Sequence, residues 1–96
     1  MEPIDDRRKR TFALGHVVST PAALEAIPAD EMQKALSRHA QCDWGDCGPE
    51  DWEENEVALR DGFRLFSVYR SEAGTKFWII TEADRSATTV LLPEDY

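Results

Sequence analysis

The spacing of the hydrophobic residues changes near Gly62, and this change limits the possible folds more than any other feature of the sequence. Before Gly62, apolar residues recur every three or four positions, as on one face of a helix. After Gly62 they alternate with polar residues, as in a strand with one buried face. Three such segments, at residues 63–70, 75–81 and 88–92, are rich in aromatic and β-branched side chains. The sequence therefore predicts helices followed by an antiparallel β-meander.

A further strand is predicted near the N-terminus. Residues 11–18 alternate, and the side chains expected on one side of this extended segment are Phe12, Leu14, His16 and Val18. The strand can join the meander, whose own connections are a short glycine-containing loop at 72–74 and a longer polar loop at 82–87. The expected fold class is α+β, with a three- or four-stranded antiparallel sheet and two to three helices packed on one face.

Two of the helices are predicted from signals at their ends. The first has Thr20 as its cap and Pro21 at its first helical position, and it must end before Pro28. The other, at 49–61, opens with a proline and carries acidic residues in its first turns, where the positive end of the helix dipole favours them. Gly62 is the expected C-terminal cap of this helix.

A helix between these two is predicted at 31–40. Asp30, followed three residues later by Gln33, has the form of a capping box, and one face of the helix is then expected to carry Met32, Ala35, Leu36 and His39. Residues 41–48 contain two glycines, two aspartates and both cysteines of the chain, a composition typical of a loop.

The charge of the chain is distributed unevenly along its 96 residues. The basic cluster Arg7, Arg8, Lys9 and Arg10 marks residues 1–10 as a flexible arm, and residues 11–96 are expected to form a single domain. That domain carries 7 basic and 16 acidic residues, a net charge of -9. So acidic a body repels the phosphates of nucleic acids, and we do not expect it to bind them directly.

Other functional classes are excluded by the absence of their signals. No apolar segment is long enough to span a membrane, and the charged N-terminus is not followed by a signal-peptide core, so we expect a cytoplasmic protein. In that compartment Cys42 and Cys47 are expected to be reduced. The chain has no phosphate-binding loop, nucleophile elbow or dinucleotide fingerprint, and no cofactor is predicted.

Two polar loops could nevertheless carry chemistry. In the first, His39 could act with Asp43 or Asp46 in acid–base catalysis, provided that a carboxylate orients the imidazole. In the second, Asp84 and Arg85 could face a substrate. An enzyme would require the two loops to converge on one cleft. The nearby cysteines do not predict a zinc site, because the spacing from His39 fits no standard motif and a fourth ligand is missing.

Each of these residues also has a structural interpretation. His39 can cap the end of its helix, while Trp44 fills the core beneath the loop. Asp84 and Arg85 can belong to a hydrogen-bonded turn. Asn55 falls beside the apolar face of the third helix, where it can tie that helix to the loop at 43–46. Both interpretations remain open at the level of sequence.

A set of short motifs resembles a family of small bacterial proteins encoded on plasmids and integrative elements. The matching residues, spread over 12–96, are Arg38-His39, Asp43-Trp44-Gly45-Asp46, Asp51, Asn55, Ala58-Leu59, Gly62, Gly74, Trp78-Ile79-Ile80-Thr81-Glu82, Asp84-Arg85-Ser86 and Thr88-Thr89-Val90-Leu91-Leu92-Pro93. Members of this family often carry the label plasmid-related protein or type I restriction subunit. The resemblance implies an accessory role on a mobile element and carries over no catalytic residue.

These observations lead to competing functional hypotheses. The first is a non-enzymatic accessory protein that binds a protein partner, such as the basic surface of a restriction or CRISPR complex that it would inhibit. Its expected interface is the acidic series Glu50, Asp51, Glu53, Glu54 and Glu56. The alternative is a small hydrolase or nucleotide-processing enzyme that uses the two loops. A third is a regulatory partner whose basic arm contacts nucleic acid. An exposed sheet edge would also be compatible with a homodimer.

Overall fold

A computed structural model of the chain describes residues 11–96, which form a four-stranded sheet with three helices. The strands are β1 (His16–Ser19), β2 (Leu65–Arg70), β3 (Lys76–Thr81) and β4 (Ala87–Leu91), in the order β1-β4-β3-β2. The predicted α+β class and the antiparallel meander of β2, β3 and β4 are confirmed. The basic arm predicted at residues 1–10 lies outside the described residues.

The sheet is mixed rather than purely antiparallel, because β1 pairs with β4 in the parallel direction. A hairpin would force two strands to run antiparallel, but the helices and two other strands separate β1 from β4 along the chain. The direction of β1 is therefore set by tertiary structure. The pairing of β1 with β4 continues one residue beyond the strand, where the Thr20 N–H donates to the Val90 carbonyl at 3.0 Å just before the first helix begins.

The first and third helices have the predicted ends. In α1 (Pro21–Ala26) the Thr20 hydroxyl accepts a hydrogen bond from the Ala23 N–H at 3.2 Å. The third helix, α3 (Pro49–Asp61), ends at Gly62, which adopts the left-handed conformation with φ of +82°. Both ends depend on local chemistry, a hydroxyl acceptor in one case and the absence of a Cβ in the other.

The second helix starts earlier than predicted. It is α2 (Ala29–Ala40), and its cap is Pro28, which offers no side-chain acceptor. The capping box predicted at Asp30 is therefore wrong, because Asp30 lies inside the first turn. Its carboxylate still interacts favourably with the helix dipole from that position.

The core lies on one face of the sheet, which we call the inner face. The buried residues of α1 and α2, among them Ala23, Ile27, Met32 and Ala35, pack there against Tyr69, Phe77, Ile79 and Val90. Strand alternation places the neighbouring residues on the opposite, outer face, which consists of Val18, Phe66, Val68, Trp78, Ile80, Thr89 and Leu91. Two helices, α1 and α2, thus lie on one face, as predicted, and α3 lies beside β2. No helix within residues 11–96 is long and apolar enough to cross a membrane.

The predicted strand at 11–18 is only partly correct, because regular pairing begins at His16. Gly15 has a φ of +68°, a conformation that breaks the alternation of the side chains. Phe12 consequently turns inward, with its ring centroid 6.1 Å from that of Trp44. Val18, which was expected on the same side as Phe12, instead aligns with Thr89 on the outer face.

The free edge of β2 is covered by polar contacts from the preceding segment. Asn55 of α3 accepts from the Phe66 N–H at 2.9 Å and donates to the Phe66 carbonyl at 2.7 Å. One step further along the strand, the Val68 N–H donates to the Trp44 carbonyl at 3.1 Å. These bonds satisfy backbone groups that an edge strand would otherwise expose, and they fix α3 beside β2.

Candidate functional site

His39 is fully buried at the end of α2, beneath the sheet. Its Nδ1 lies 2.5 Å from the Ser67 hydroxyl, and its Nε2 lies 2.8 Å from the Thr81 hydroxyl. Both ring nitrogens are therefore bonded to hydroxyl groups, and no carboxylate orients the imidazole. These two bonds join the end of α2 to the sheet, so they differ both from the catalytic arrangement and from the helix cap that the sequence suggested for His39.

The hydrogen bonds around His39 have a defined direction. The Leu14 carbonyl can only accept, so the Thr88 hydroxyl donates to it, at 2.7 Å. Thr81 must then donate to Thr88, at 2.7 Å, and its oxygen is left to accept from Nε2–H of His39. Nδ1 accepts from Ser67. The imidazole is thus held as one neutral tautomer, and burial, with a smaller effect from the Arg85 charge, lowers the pKa of His39 to about 3.

The two aspartates of the first loop pair with arginines at the surface. Asp43 binds Arg38 at 2.8 Å, and Asp46 binds Arg70 at 3.2 Å. Burial tends to raise the pKa of Asp43, but the bond from Arg38 and the Gly45 N–H outweigh it, and the net shift is downward. Both carboxylates thus act as ion-pair partners that hold the loop against α2 and β2.

The second loop forms the predicted turn. The Asp84 carboxylate accepts from the Ser86 N–H at 3.0 Å, and hydrogen bonds from the Ser86 side chain and N–H lower the pKa of Asp84. Arg85 donates to the carbonyl of Phe63 at 2.7 Å and to that of Ala58 at 3.1 Å. Arg85 therefore connects the β3–β4 turn to the end of α3, a role that its position in the sequence did not suggest.

The structure does not bring the two loops together. Asp46 forms an ion pair with Arg70, the last residue of β2. Arg85 instead donates to the carbonyl of Phe63, which lies two residues before the start of β2. Seven residues of extended chain separate these two points, roughly 23 Å at about 3.3 Å per residue. Within residues 11–96, Asp46 and Arg85 are therefore at opposite ends of β2, although Arg85 is close enough to His39 for its charge to lower the His39 pKa.

Neither Cys42 nor Cys47 forms a disulfide within residues 11–96. Cys42 is buried, and Cys47 is half-buried, with its sulfur 3.2 Å from the Trp44 carbonyl. Burial raises the pKa of the Cys47 thiol, which disfavours the reactive thiolate. Within residues 11–96 no three side chains of the His, Cys, Asp and Glu types come together in a way that could hold a metal ion.

The acidic series on α3 divides into two groups. Glu50, Asp51, Glu53 and Glu54 are exposed. Glu56 is half-buried on another side of the helix, where it accepts a hydrogen bond from the Trp44 indole at 2.8 Å. Four of the five predicted partner-binding carboxylates are thus accessible, and the fifth anchors α3 to the loop that contains Trp44.

A groove lies between α3 and the start of β2, and we call it the α3 groove. Its volume is about 580 Å³, and it is lined by Asp51, Glu53, Glu54, Asn55, Val57, Ala58, Phe63, Arg64 and Phe66. Phe63 is 57% exposed, although it is a large apolar residue. A groove of this volume with an apolar wall is in the range of small-ligand and side-chain binding sites.

The charge at the rim of the α3 groove is predominantly negative. Asp51, Glu53 and Glu54 line it, and no basic side chain within residues 11–96 forms an ion pair with any of them. The guanidinium of Arg64 is held at 3.5 Å by Glu82 and at 3.4 Å by the Tyr96 hydroxyl. The groove therefore combines an apolar wall with three unpaired carboxylates.

The apolar wall of this groove was missed in the sequence, where Phe63 was assigned to a strand. The available signal was Gly62, because the left-handed turn that ends α3 redirects the next residue away from the sheet.

Comparison of the chain with protein-family models, with curated proteins and with solved structures finds no match.

Proposed function

We propose that this chain is a non-enzymatic accessory module that binds a protein partner through the α3 groove. The observation that carries the proposal is the coincidence of three unpaired carboxylates, Asp51, Glu53 and Glu54, with the exposed ring of Phe63 in one groove. A surface of this kind fits a segment in which an apolar side chain is flanked by Lys or Arg. The apolar side chain would provide the buried anchor, and the flanking charges would orient it.

The charge of the body favours the same class of partner. With a net charge of -9 over residues 11–96, the domain attracts surfaces that have evolved to bind phosphates. The resemblance to proteins of plasmids and integrative elements makes a cytoplasmic restriction or CRISPR complex our proposed partner. By occupying the basic nucleic-acid-binding surface of such a complex, the acidic groove would act as its inhibitor.

The decisive experiment measures binding to purified restriction and CRISPR effector complexes by calorimetry, at low and at high salt. We expect affinity to fall as the salt concentration rises, because exposed charges are screened. The double variant Glu53→Lys/Glu54→Lys should weaken binding by on the order of tenfold or more, because it places like charges against the partner. Phe63→Ala should weaken binding without unfolding the domain, since most of the Phe63 side chain is exposed.

The matched control is Glu25→Lys/Asp30→Lys, which makes the same change in net charge at exposed positions of α1 and α2. This control should bind nearly as well as the wild type. Equal losses in the two double variants would show a response to overall charge and not to the groove. Absence of binding to every complex of the panel would overturn the proposed partner class.

A further inference from the structure

The middle of the outer face carries apolar side chains, although α1 and α2 pack on the other face; of these side chains, Ile80 and Leu91 are already buried within the monomer. At its centre the Phe66 and Trp78 ring centroids are 4.8 Å apart, and Tyr96 contacts Trp78 at 5.7 Å. Phe66, Val68, Trp78 and Thr89 remain partly exposed, and Val18 is 40% exposed at the edge. Contiguous apolar surface of this kind on a small domain is typical of an interface.

Charged residues of both signs lie at the end of the sheet where β3 begins and β4 ends. Arg70 and Lys76 are directly opposed across the β2–β3 hairpin, an arrangement of like charges that is unfavourable in isolation. Asp46 compensates Arg70, but Lys76 has no ion-pair partner within residues 11–96. Glu94 is exposed in the turn Pro93–Asp95, which follows β4 at the end of the sheet where β3 begins.

These positions are complementary under one symmetry operation. A two-fold axis that runs along the strands, between β3 and β4, places β3 of each copy over β4 of the other. Lys76 opens β3 and Glu94 follows β4 at the same end of the sheet, so each Lys76 meets the Glu94 of the other copy. The remaining apolar residues of the two faces are then in contact, in the manner of a β-sandwich.

We propose that the outer face is a homodimer interface, in which a second copy of this chain packs sheet against sheet with reciprocal Lys76 to Glu94 contacts. The carboxylates of the α3 groove take no part in this interface, and although Phe66 borders both surfaces, Lys76, Thr89 and Glu94 lie outside the groove, so variants at these positions test the dimer separately from the proposed function. The interface also differs from pairing at the exposed edge of β1, because it uses side chains of the face and not backbone groups.

Sedimentation equilibrium of the full chain over a concentration series tests the proposal. We expect a reversible monomer–dimer equilibrium. The single reversals Lys76→Glu and Glu94→Lys should each raise the dimer Kd by on the order of tenfold or more, because each creates two like-charge contacts. The double variant Lys76→Glu/Glu94→Lys should restore the Kd to near the wild-type value. Recovery in the double variant is the result that identifies this geometry.

A second pair of variants tests the centre of the face. Thr89→Lys places a charge among the apolar residues and should abolish the dimer, whereas Gln33→Lys makes a comparable charge change on the exposed side of α2 and should leave the dimer intact. Circular dichroism checks that both variants are folded. A wild-type chain that stays monomeric at every concentration would overturn the proposal. A dimer that is insensitive to Thr89→Lys and to both reversals would assign the interface elsewhere.

Discussion

The buried position of His39 predicts that the protein loses stability in mild acid, through this one residue. In the unfolded chain the imidazole takes up a proton with a pKa near its ordinary value of 6.5, whereas burial in the native state lowers this pKa to about 3. Between these two values the unfolded state binds more protons than the native state, so the free energy of unfolding falls as the pH falls. The contribution of His39 is complete above pH 6.5 and decreases below it.

The magnitude follows from the two pKa values. At about 1.36 kcal/mol per pH unit, lowering the pH from 7 to 5 should remove about 2 kcal/mol of stability through His39 alone. For a domain of this size about 2 kcal/mol is a substantial part of the total stability, which is about 5–15 kcal/mol for most proteins.

The assay is urea denaturation at several pH values between 5 and 7, followed by tryptophan fluorescence. His39→Gln replaces the imidazole with a group that can donate and accept hydrogen bonds but does not titrate. Its free energy of unfolding is expected to be nearly constant over this interval. The control His16→Gln removes the other histidine of the chain, which is exposed, and should keep the wild-type slope.

A direct measurement on the wild type avoids any effect of substitution on folding. In an NMR titration the ring resonances of His39 should stay unchanged from pH 7 to pH 4.5, the signature of an imidazole that remains neutral. A His39 resonance that titrates near pH 6, or parallel pH profiles of stability for the wild type and His39→Gln, would refute the reasoning.

Three further predictions concern stability and reactivity. Asn55→Ala leaves both the N–H and the carbonyl of Phe66 without their side-chain partner, and it should lower the free energy of unfolding by about 2–3 kcal/mol in urea denaturation. A variant as stable as the wild type would contradict the role of Asn55 as a bridge between α3 and β2. Gly15→Ala should lower the melting temperature by several degrees or prevent folding, because Gly15 has a φ of +68° and the added Cβ would lie 2.4 Å from the Ser86 carbonyl carbon. The control is Gly48→Ala, which should have little effect because the space around Gly48 is open. Cys47 should react with a thiol reagent at neutral pH more slowly than glutathione does, because burial raises its pKa, and a faster reaction would exclude this explanation.

Features determined by neighbouring residues were predictable from the sequence. Thr20 and Gly62 mark helix ends through bonds to residues within one turn, and the alternation after Gly62 defines the meander. The start of α2 was misplaced because Asp30 and Gln33 fit a capping box as well as they fit the interior of a first turn. Local patterns of this kind cannot distinguish a cap from the position two residues inside it.

Features that depend on distant residues were not predictable in the same way. The parallel direction of β1 is set by its pairing with β4, about seventy residues later in the chain. His39 was placed correctly on the apolar side of its helix, but its bonds to Ser67 and Thr81 require the sheet to be in place. The α3 groove likewise exists only because Phe66 on β2 comes to lie beside α3.

Three polar side chains from different parts of the chain determine where α3 lies. Asn55 binds the edge of β2, Glu56 binds the Trp44 indole, and Arg85 binds the carbonyl groups of Ala58 and Phe63 at the end of the helix. These contacts fix α3, while Asp51, Glu53 and Glu54, which form no ion pair within residues 11–96, line the groove. Arg85 contacts the groove only through backbone atoms of its wall, so Arg85→Ala should loosen the helix end and reduce partner affinity. Arg85→Lys, which retains the charge and an ammonium donor group, should preserve more of this affinity. Loss of affinity in Arg85→Ala with no change in hydrogen exchange at the end of α3 would mean that Arg85 contacts the partner itself.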